Sequence, residues 1–504
     1  MSKGKLIFKN IFYGAGTRLV ILALGMILPR LFITSFGSEM NGLLSTTTQI
    51  FTYLALVEAG IGNSTINALY KPLDDKNYSE ANSIMCEARA YYRRVSLLYG
   101  AGIIAFSIIY PLLANSSISK WTIFGIVALQ GAANFVGYYF TAVYSQLLAA
   151  DGKKYISENV TFVSSVLINL IKIVMIMLGL NVIMVQLGHL IINVLKIPVL
   201  SFICKRKYSW LDFSQQASKG KLKERGAFII HEASGTIFNN TDVFIISVFC
   251  SFEMASVYTV YNMVFSALTS LMSTANSGLG FIFGQNQYKG RERLVKIYDV
   301  YSTVYSMVAF IVFTVSAVLI VPFVKLYTNG VSDVNYLMVG LPILFTVINL
   351  MSSVRMVAVS LITVSGHADT TKRRSMAEAM INLVSSLILV NIFGIYGVLL
   401  GTIFALIYRA NDLIIYANRK ILNRNPLYEY KSIIIYSVVF AIIWIAFKYI
   451  TLDIDSYLAF AGYGIFITLI VAVIYMVVTL ITKPLLIREA KYVIGRVFRT
   501  NKAQ

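Results

Sequence analysis

The sequence predicts an all-α integral membrane protein of about fourteen transmembrane helices, built as two parallel six-helix lobes plus two C-terminal helices. Three observations predict it. The composition is extreme: 57% of the 504 residues are hydrophobic and 13% are charged, where soluble domains carry about a quarter charged residues. Apolar runs of the length needed to cross the hydrocarbon core, about 20 residues, recur along the whole chain. The basic residues are confined to every second connection between those runs.

Taken in order, the candidate spans are 11–36, 42–69, 96–114, 121–148, 157–179, 182–203, 227–250, 254–284, 299–326, 335–364, 376–393, 395–418, 432–451 and 457–482. Two splits are the tightest, at Leu180-Asn181 and at Gly394. The opening MSKGKLIFKN is basic and leads into an apolar run to about Phe36. That run is longer than the 7–15-residue core of a cleaved signal peptide, so a retained first helix is expected.

Of 43 Lys and Arg, 35 fall in the N-terminal ten residues, in 70–95, 149–156, 204–226, 285–298, 365–375 and 409–431, and in the C-terminal tail. The opposite connections are short and nearly free of them. By the positive-inside rule both termini face the cytoplasm, which fits the even span number. The same distribution explains the formal charge of +20 as topology and removes a nucleic-acid reading. Cys86, Cys204 and Cys250 show no paired or CxxC spacing, so neither a disulfide framework nor a zinc site is implied.

A shift of 214 residues aligns the two halves. GSEMNGLLSTTTQIF at 37–51 falls on SFEMASVYTVYNMVF at 251–265, with Glu39-Met40 on Glu253-Met254 and Phe51 on Phe265. Farther on, Val163-Ser164-Ser165 corresponds to Val384-Ser385-Ser386 at a slightly larger shift. Three parts follow: an N-lobe at 1–215, a C-lobe at 216–425, and a final helix pair with a cytoplasmic tail at 426–504. Both lobes start on one side, so the repeats are parallel. A substrate is expected between them, near mid-membrane.

The stretch HEASGTIFNNTDVFIIS, 231–247, is the strangest in the chain. At 100° per residue Glu232, Gly235, Asn239 and Asp242 share one helix face, about 15 Å long. A single ionisable side chain at the bilayer centre costs roughly 2.5–3.5 kcal/mol even on lenient scales, so this face must look onto protein or a cavity. Arg18, Arg30, Glu58, Lys172, Lys196 and Arg355 are further charges inside spans. Arg18 stands opposite Glu232 under the 214 shift. Helix packing by internal ion pairs explains any one of these charges. As a set they point to a substrate path or an ion site. Bases outnumber acids among them, which favours an anionic substrate. Lys172 and Lys196 have a simpler reading, snorkelling or local pairing. His231 lies about 80° off Asn239 by the same helical count and is a weaker proton site.

The chain has no G-x-x-x-x-G-K-[ST], no HExxH and no nucleophile elbow. Hydrolysis of ATP through a P-loop and familiar hydrolytic chemistry are excluded, and no metal site or enzymatic activity is expected. Transport would draw on an ion gradient, with Na+ or H+ as coupling ion.

LPRLFITSFGSEMNGLLSTTTQIFTYLALVEAGIGNS and NNTDVFIISVFCSFEMASVYTVYN, with Asp242 followed sixteen residues on by Tyr258, resemble the multidrug/oligosaccharidyl-lipid/polysaccharide exporter superfamily. Within it the chain looks like a Wzx-type polysaccharide-repeat flippase. That resemblance implies a V-shaped bundle in the bacterial cytoplasmic membrane. It implies transfer of undecaprenyl-pyrophosphate-linked oligosaccharide between leaflets by a monomeric transport unit, alongside membrane lipids and a polysaccharide polymerase. Arginine suits a diphosphate because its planar fork binds two oxygens at once. The expected substrate residues are therefore Arg18, Arg30, Arg355, Glu58 and Asn239, and the expected ion-coupling residues Asp242 and Glu232. A lipid II flippase, a drug/ion antiporter of the same superfamily and a membrane-embedded polymerase are the competing readings.

Overall fold

In this computed structural model residues 23–114, 116–214, 236, 240–286, 290–450, 452 and 454–488 are described, the side chains of 54–61 and 63 excepted. The helices are α1 Ala23–Phe36, α2 Ser38–Asp74, α3 Tyr78–Leu113, α4 Lys120–Ala150, α5 Lys154–Met177 and α6 Val182–Lys207. They continue with α7 Asn240–Phe249, α8 Phe252–Asn286, α9 Arg291–Tyr327, α10 Leu341–Val364, α11 Ala368–Phe393, α12 Ile395–Ile421, α13 Leu427–Lys448 and α14 Tyr457–Thr482. Ten of them, α3–α6 and α9–α14, are long and apolar enough to cross a membrane. No strand occurs among the described residues. The protein is an all-helical, multi-pass membrane protein.

The two tightest expected junctions form where glycine permits them. Gly394 alone separates α11 from α12, at φ 57, a left-handed conformation that glycine adopts without a Cβ clash. Between α5 and α6 the chain turns through Gly179 at φ 73, and the Asn181 side chain then accepts from the Met184 N–H at 2.9 Å to cap α6.

Packing divides the chain into two units, 1–257 and 258–504. The boundary lies some forty residues beyond the repeat-derived one near 215. The reason is local: α7 and the start of α8 pack on the first unit. Phe252 joins the cluster of Leu28, Phe32, Leu43, Phe51, Tyr110 and Ile126. At Gly42 of α2 an added Cβ would lie 1.7 Å from the Phe252 carbonyl oxygen, so only glycine admits that approach. A second cluster, with Leu69, Met85, Tyr92, Leu147, Leu200 and Cys204, closes the other end of this unit.

In the second unit α9 is the hub, buried along its length against α10, α13 and α14. α11 and α12 form a close pair. Their seam holds Gly397 and Gly401 of α12 and Ser386 of α11, the small-residue spacing that lets helix backbones approach in lipid. Across it Asn382 Nδ2 donates to Thr402 Oγ1 at 2.9 Å. The last two helices are tied to α9 by polar bonds. Tyr298 donates to the buried Glu429 carboxylate at 3.0 Å, Arg424 Nη1 meets Asp299 at 2.5 Å, and the Tyr475 and Thr314 hydroxyls lie 3.0 Å apart. The opposite faces of α13 and α14 are apolar and exposed, with Ile434, Val438, Ile442, Ile465, Phe466 and Leu469. A protein in water would hide such faces; a bilayer covers them.

Candidate functional site: charges at membrane depth

In the first unit the polar residues of α2 each find a partner on another helix. Asn41 Nδ2 donates to Ser256 Oγ at 2.8 Å. The Thr47 hydroxyl bonds to Gln130 Oε1 of α4. The Tyr53 hydroxyl bonds to the Thr241 hydroxyl of α7. The three α2 positions span twelve residues, about 18 Å of helix, so they form a polar ladder through the unit rather than one cluster.

Asp242 is the one expected coupling residue that is described. It is 6% exposed and follows Thr241, and its carboxylate interacts electrostatically with the Tyr53 hydroxyl. Val243, Ile245 and Ile246 on the same short helix are buried apolar residues. The Tyr53–Thr241–Asp242 group is therefore a polar island in an apolar wall, the setting in which a membrane carboxylate acquires a function.

Arg30 is half-buried on α1, one residue after Pro29. Arg18, Glu232, Asn239 and His231 lie outside the described residues, and so does the Glu58 side chain. The expected Arg18–Glu232 relation and the expected Glu232–Asn239–Asp242 stripe therefore have no described geometry.

Lys172 and Lys196 sit on adjacent helices. Lys196 Nζ donates to Thr161 Oγ1 at 2.9 Å, and Lys172 is within electrostatic reach of His189. For Lys196 local pairing accounts for the side chain.

In the second unit Arg355 lies at the break inside α10 and is not an isolated cation. Its Nη1 is paired with Glu378 of α11. Glu378 also receives Arg409 Nε at 3.4 Å. Arg409 Nη1 donates to Asp412 at 2.6 Å and Nη2 to Ser375 Oγ at 2.7 Å, and Arg374 Nη1 reaches the other Asp412 oxygen at 2.6 Å. Arg355, Glu378, Arg409, Asp412 and Arg374 thus form one chain of three guanidiniums and two carboxylates. Glu378 and Arg409 are the residues sequence reasoning missed. Glu378 stood inside the expected span 376–393, and Arg409 stood at the edge of an expected connection. The Arg409/Asp412 pair at i, i+3 was the available signal.

Glu378 and Glu429 add two buried acids to the count of charges at depth, and Arg409 adds one base. The excess of bases that favoured an anionic substrate becomes small. No group of three or more His, Cys, Asp or Glu among the described residues could hold a metal ion.

No protein-family model matches this chain, and no curated protein sequence matches it. Solved structures match in fold. One is the lipid II flippase MurJ in an inward closed conformation, at a TM-score of 0.70 and 13% identity, over 92% of this chain and 98% of that one. Another is an inward-facing multidrug resistance MATE family transporter of the MOP superfamily, at 0.65 and 13%, over 81% of this chain and 98% of that one. An outward-facing MATE transporter matches at 0.55 and 14%, over 81% and 94%. The fold of this chain is that of these MOP-superfamily transporters. Residues before α13 make up about 85% of the chain (426 of 504). A match over 92% therefore reaches into the α13–α14 pair.

Proposed function

We propose that this chain is a flippase of about fourteen transmembrane helices in the bacterial cytoplasmic membrane, both termini cytoplasmic. It carries undecaprenyl-pyrophosphate-linked oligosaccharide between leaflets for surface polysaccharide synthesis, with a Na+ or H+ gradient as energy source, and it is a transporter of the Wzx type rather than an enzyme. The observation that carries this reading is the fold match that extends through α13 and α14 to a flippase of a lipid-linked substrate. The match to the MATE transporter takes in nearly all of that chain and leaves about a fifth of this one over. The exposed apolar faces of α13 and α14 support it further, because a polyprenyl tail needs such a surface while the head group crosses in a polar path.

On this reading Arg18 and Arg30 hold the diphosphate, with Arg355, Glu58 and Asn239 as further head-group contacts. Asp242 carries the coupling ion, and Glu232 pairs with Arg18 in one state. Arg355 can join only by exchanging Glu378 for substrate oxygens. The transport unit is the monomer, with a polysaccharide polymerase as the downstream partner. The same fold match favours lipid II as the second substrate reading; a drug/ion antiporter is the third.

The test is flipping by the full chain in reconstituted vesicles. Undecaprenyl-pyrophosphoryl oligosaccharide is loaded in one leaflet and probed with a membrane-impermeant sugar oxidant. Protein-dependent exposure of the sugar, abolished by Arg30→Ala, supports the proposal. Exposure of lipid II alone moves the assignment to peptidoglycan synthesis, and exposure of neither substrate overturns both flippase readings.

A further inference from the structure

The first unit contains a cavity of about 630 Å³ that belongs to none of the sites above. That volume is in the range of small-molecule sites. It lies between α3, α4, α6 and the segment 208–214, at the ends of the helices that carry the basic connections. Its floor is set by a π-helical turn, Gly137–Thr141, inside α4. The extra residue of such a turn rotates the side chains that follow, and turns of this kind concentrate at binding sites. Here it presents Tyr139 and Phe140 to the cavity.

The segment 208–214 is fastened as a wall. Asn82 Nδ2 donates to the Asp212 carbonyl at 2.8 Å, and the Asp212 N–H donates back to Asn82 Oδ1 at 2.9 Å. Tyr208 donates to Asp151 at 2.6 Å. Phe213 is thereby held over the cavity, where the Arg89 guanidinium stacks on its ring at 4.3 Å. One helical turn on, Arg93 stands over the Tyr139 ring at 5.4 Å. Lys205 of α6 completes the lining.

These cations lack the partners that Arg355 and Arg409 have. Neither Arg89, Arg93 nor Lys205 is in an ion pair among the described residues, and the buried Arg93 Nε has no hydrogen-bond acceptor. Arg89 and Arg93 are near enough to repel each other. The one acid in the lining is Asp212. Its carboxylate accepts from the Ser214 N–H at 2.9 Å and from the Ser214 hydroxyl at 2.8 Å, which hold its pKa below the ordinary aspartate value. It is spoken for, and it offsets one of three positive charges. Two guanidiniums with free N–H groups, stacked on aromatic rings so that their edges stay open, form the geometry that binds a phosphate group by several charge-assisted hydrogen bonds.

We infer that this cavity is a binding site for a phosphate-bearing anion, with Arg89 and Arg93 as the ligating forks and Lys205 as the third cation. The aromatic and aliphatic lining, Tyr139, Tyr144, Phe213 and Ile197, accepts the organic group attached to the phosphate. The inference uses the packing of the first unit alone and stands apart from the transport reading. The phosphate has two sources, a phospholipid head group or a soluble phosphate ester, which bind by the same chemistry.

The experiment uses the purified full chain in phosphatidylcholine nanodiscs at fixed ionic strength. In one arm phosphatidylglycerol is offered and retained lipid is counted by native mass spectrometry. In the other inorganic diphosphate is titrated and the thermal unfolding midpoint is read. Retention of phosphatidylglycerol over phosphatidylcholine, or a rise in the midpoint with diphosphate, is expected in the parent. Either effect should fall about tenfold or more in apparent affinity in Arg89→Gln/Arg93→Gln, since each charge-assisted bond accounts for roughly a factor of ten. The arm that responds identifies the source. Lys205→Gln, an exposed change at a helix end, should weaken the same arm several-fold and covers the case of a double variant that fails to fold. If neither probe binds the parent above background, or if parent and variants bind alike, the site is not there.

Discussion

At the scale of single residues, the two described candidate charges behave differently. Asp242 keeps polar company with Tyr53 and Thr241 in a wall that is otherwise apolar. Asp242→Asn preserves shape and hydrogen bonding while removing the charge. If Asp242 couples transport to an ion, the variant should reach the membrane in normal amount, and its flipping in vesicles should stop or lose its response to an imposed Na+ or H+ gradient. A parent-like gradient response assigns Asp242 to packing alone. Arg355, in contrast, is one link of an ion-pair chain. Removing one partner of a buried pair leaves an uncompensated charge and costs about 3–5 kcal/mol. Glu378 serves both Arg355 and Arg409. Glu378→Ala should therefore lower the unfolding midpoint in detergent more than Arg355→Ala does. An equal or smaller loss for Glu378→Ala would mean that the two arginines are solvated independently.

At the scale of elements, the α11–α12 pair shows how backbone proximity selects glycine. A Cβ on Gly397 would lie 2.1 Å from the Leu389 carbonyl oxygen, and one on Gly401 2.4 Å from Ser386 Oγ and 2.6 Å from its backbone nitrogen. Backbone atoms cannot step aside as a side-chain tip can, so Gly397→Ala should destabilise by about 1–3 kcal/mol through overpacking. Gly137, at the start of the π-helical turn, meets nothing within 4 Å. Gly137→Ala should be neutral or slightly stabilising, because alanine is the better helix former. Thermal melts of the two variants check the contrast, and similar melts would mean that the helix pair parts to admit a methyl group.

At the scale of the whole molecule, sidedness is the property on which every transport reading depends. Charge places the connections around Lys153 and Lys372 in the cytoplasm and those around Ser116 and Asp333 outside. Single cysteines at these four positions, in a background where Cys86, Cys204 and Cys250 are replaced, should divide accordingly. In intact cells an impermeant maleimide should label positions 116 and 333, and positions 153 and 372 only after permeabilisation. Labelling of position 153 in intact cells would invert the topology. Ser116 has a further constraint, since its hydroxyl donates to Glu39 at 2.7 Å and fastens its connection to the start of α2. Labelling there should be slower than at position 333.

By itself the sequence determined that this is an all-helical membrane protein. Burial of backbone polar groups in lipid leaves helices as the solution for apolar runs of this length. It also determined where helices begin and end at Gly394 and Asn181, because a positive-φ glycine and a side-chain cap are local devices. It marked Asp242 and Arg355 as charges out of place. What it could not determine is partnership. Glu378 and Arg409 are 23 and 54 residues from Arg355, and only the close packing of α10, α11 and α12 brings the three side chains together. The 214-residue repeat assigned α7 to the second half, while Phe252 at Gly42 and Thr241 at Tyr53 pack it on the first unit. The cavity at Arg89 and Arg93 was invisible for the same reason: its wall is the segment 208–214, held in place by Asn82 from 130 residues away. Periodicity and local capping act over a few residues and can be read from the chain. Charge compensation, close approach and cavities depend on which helices meet, and that is decided only when the chain has packed.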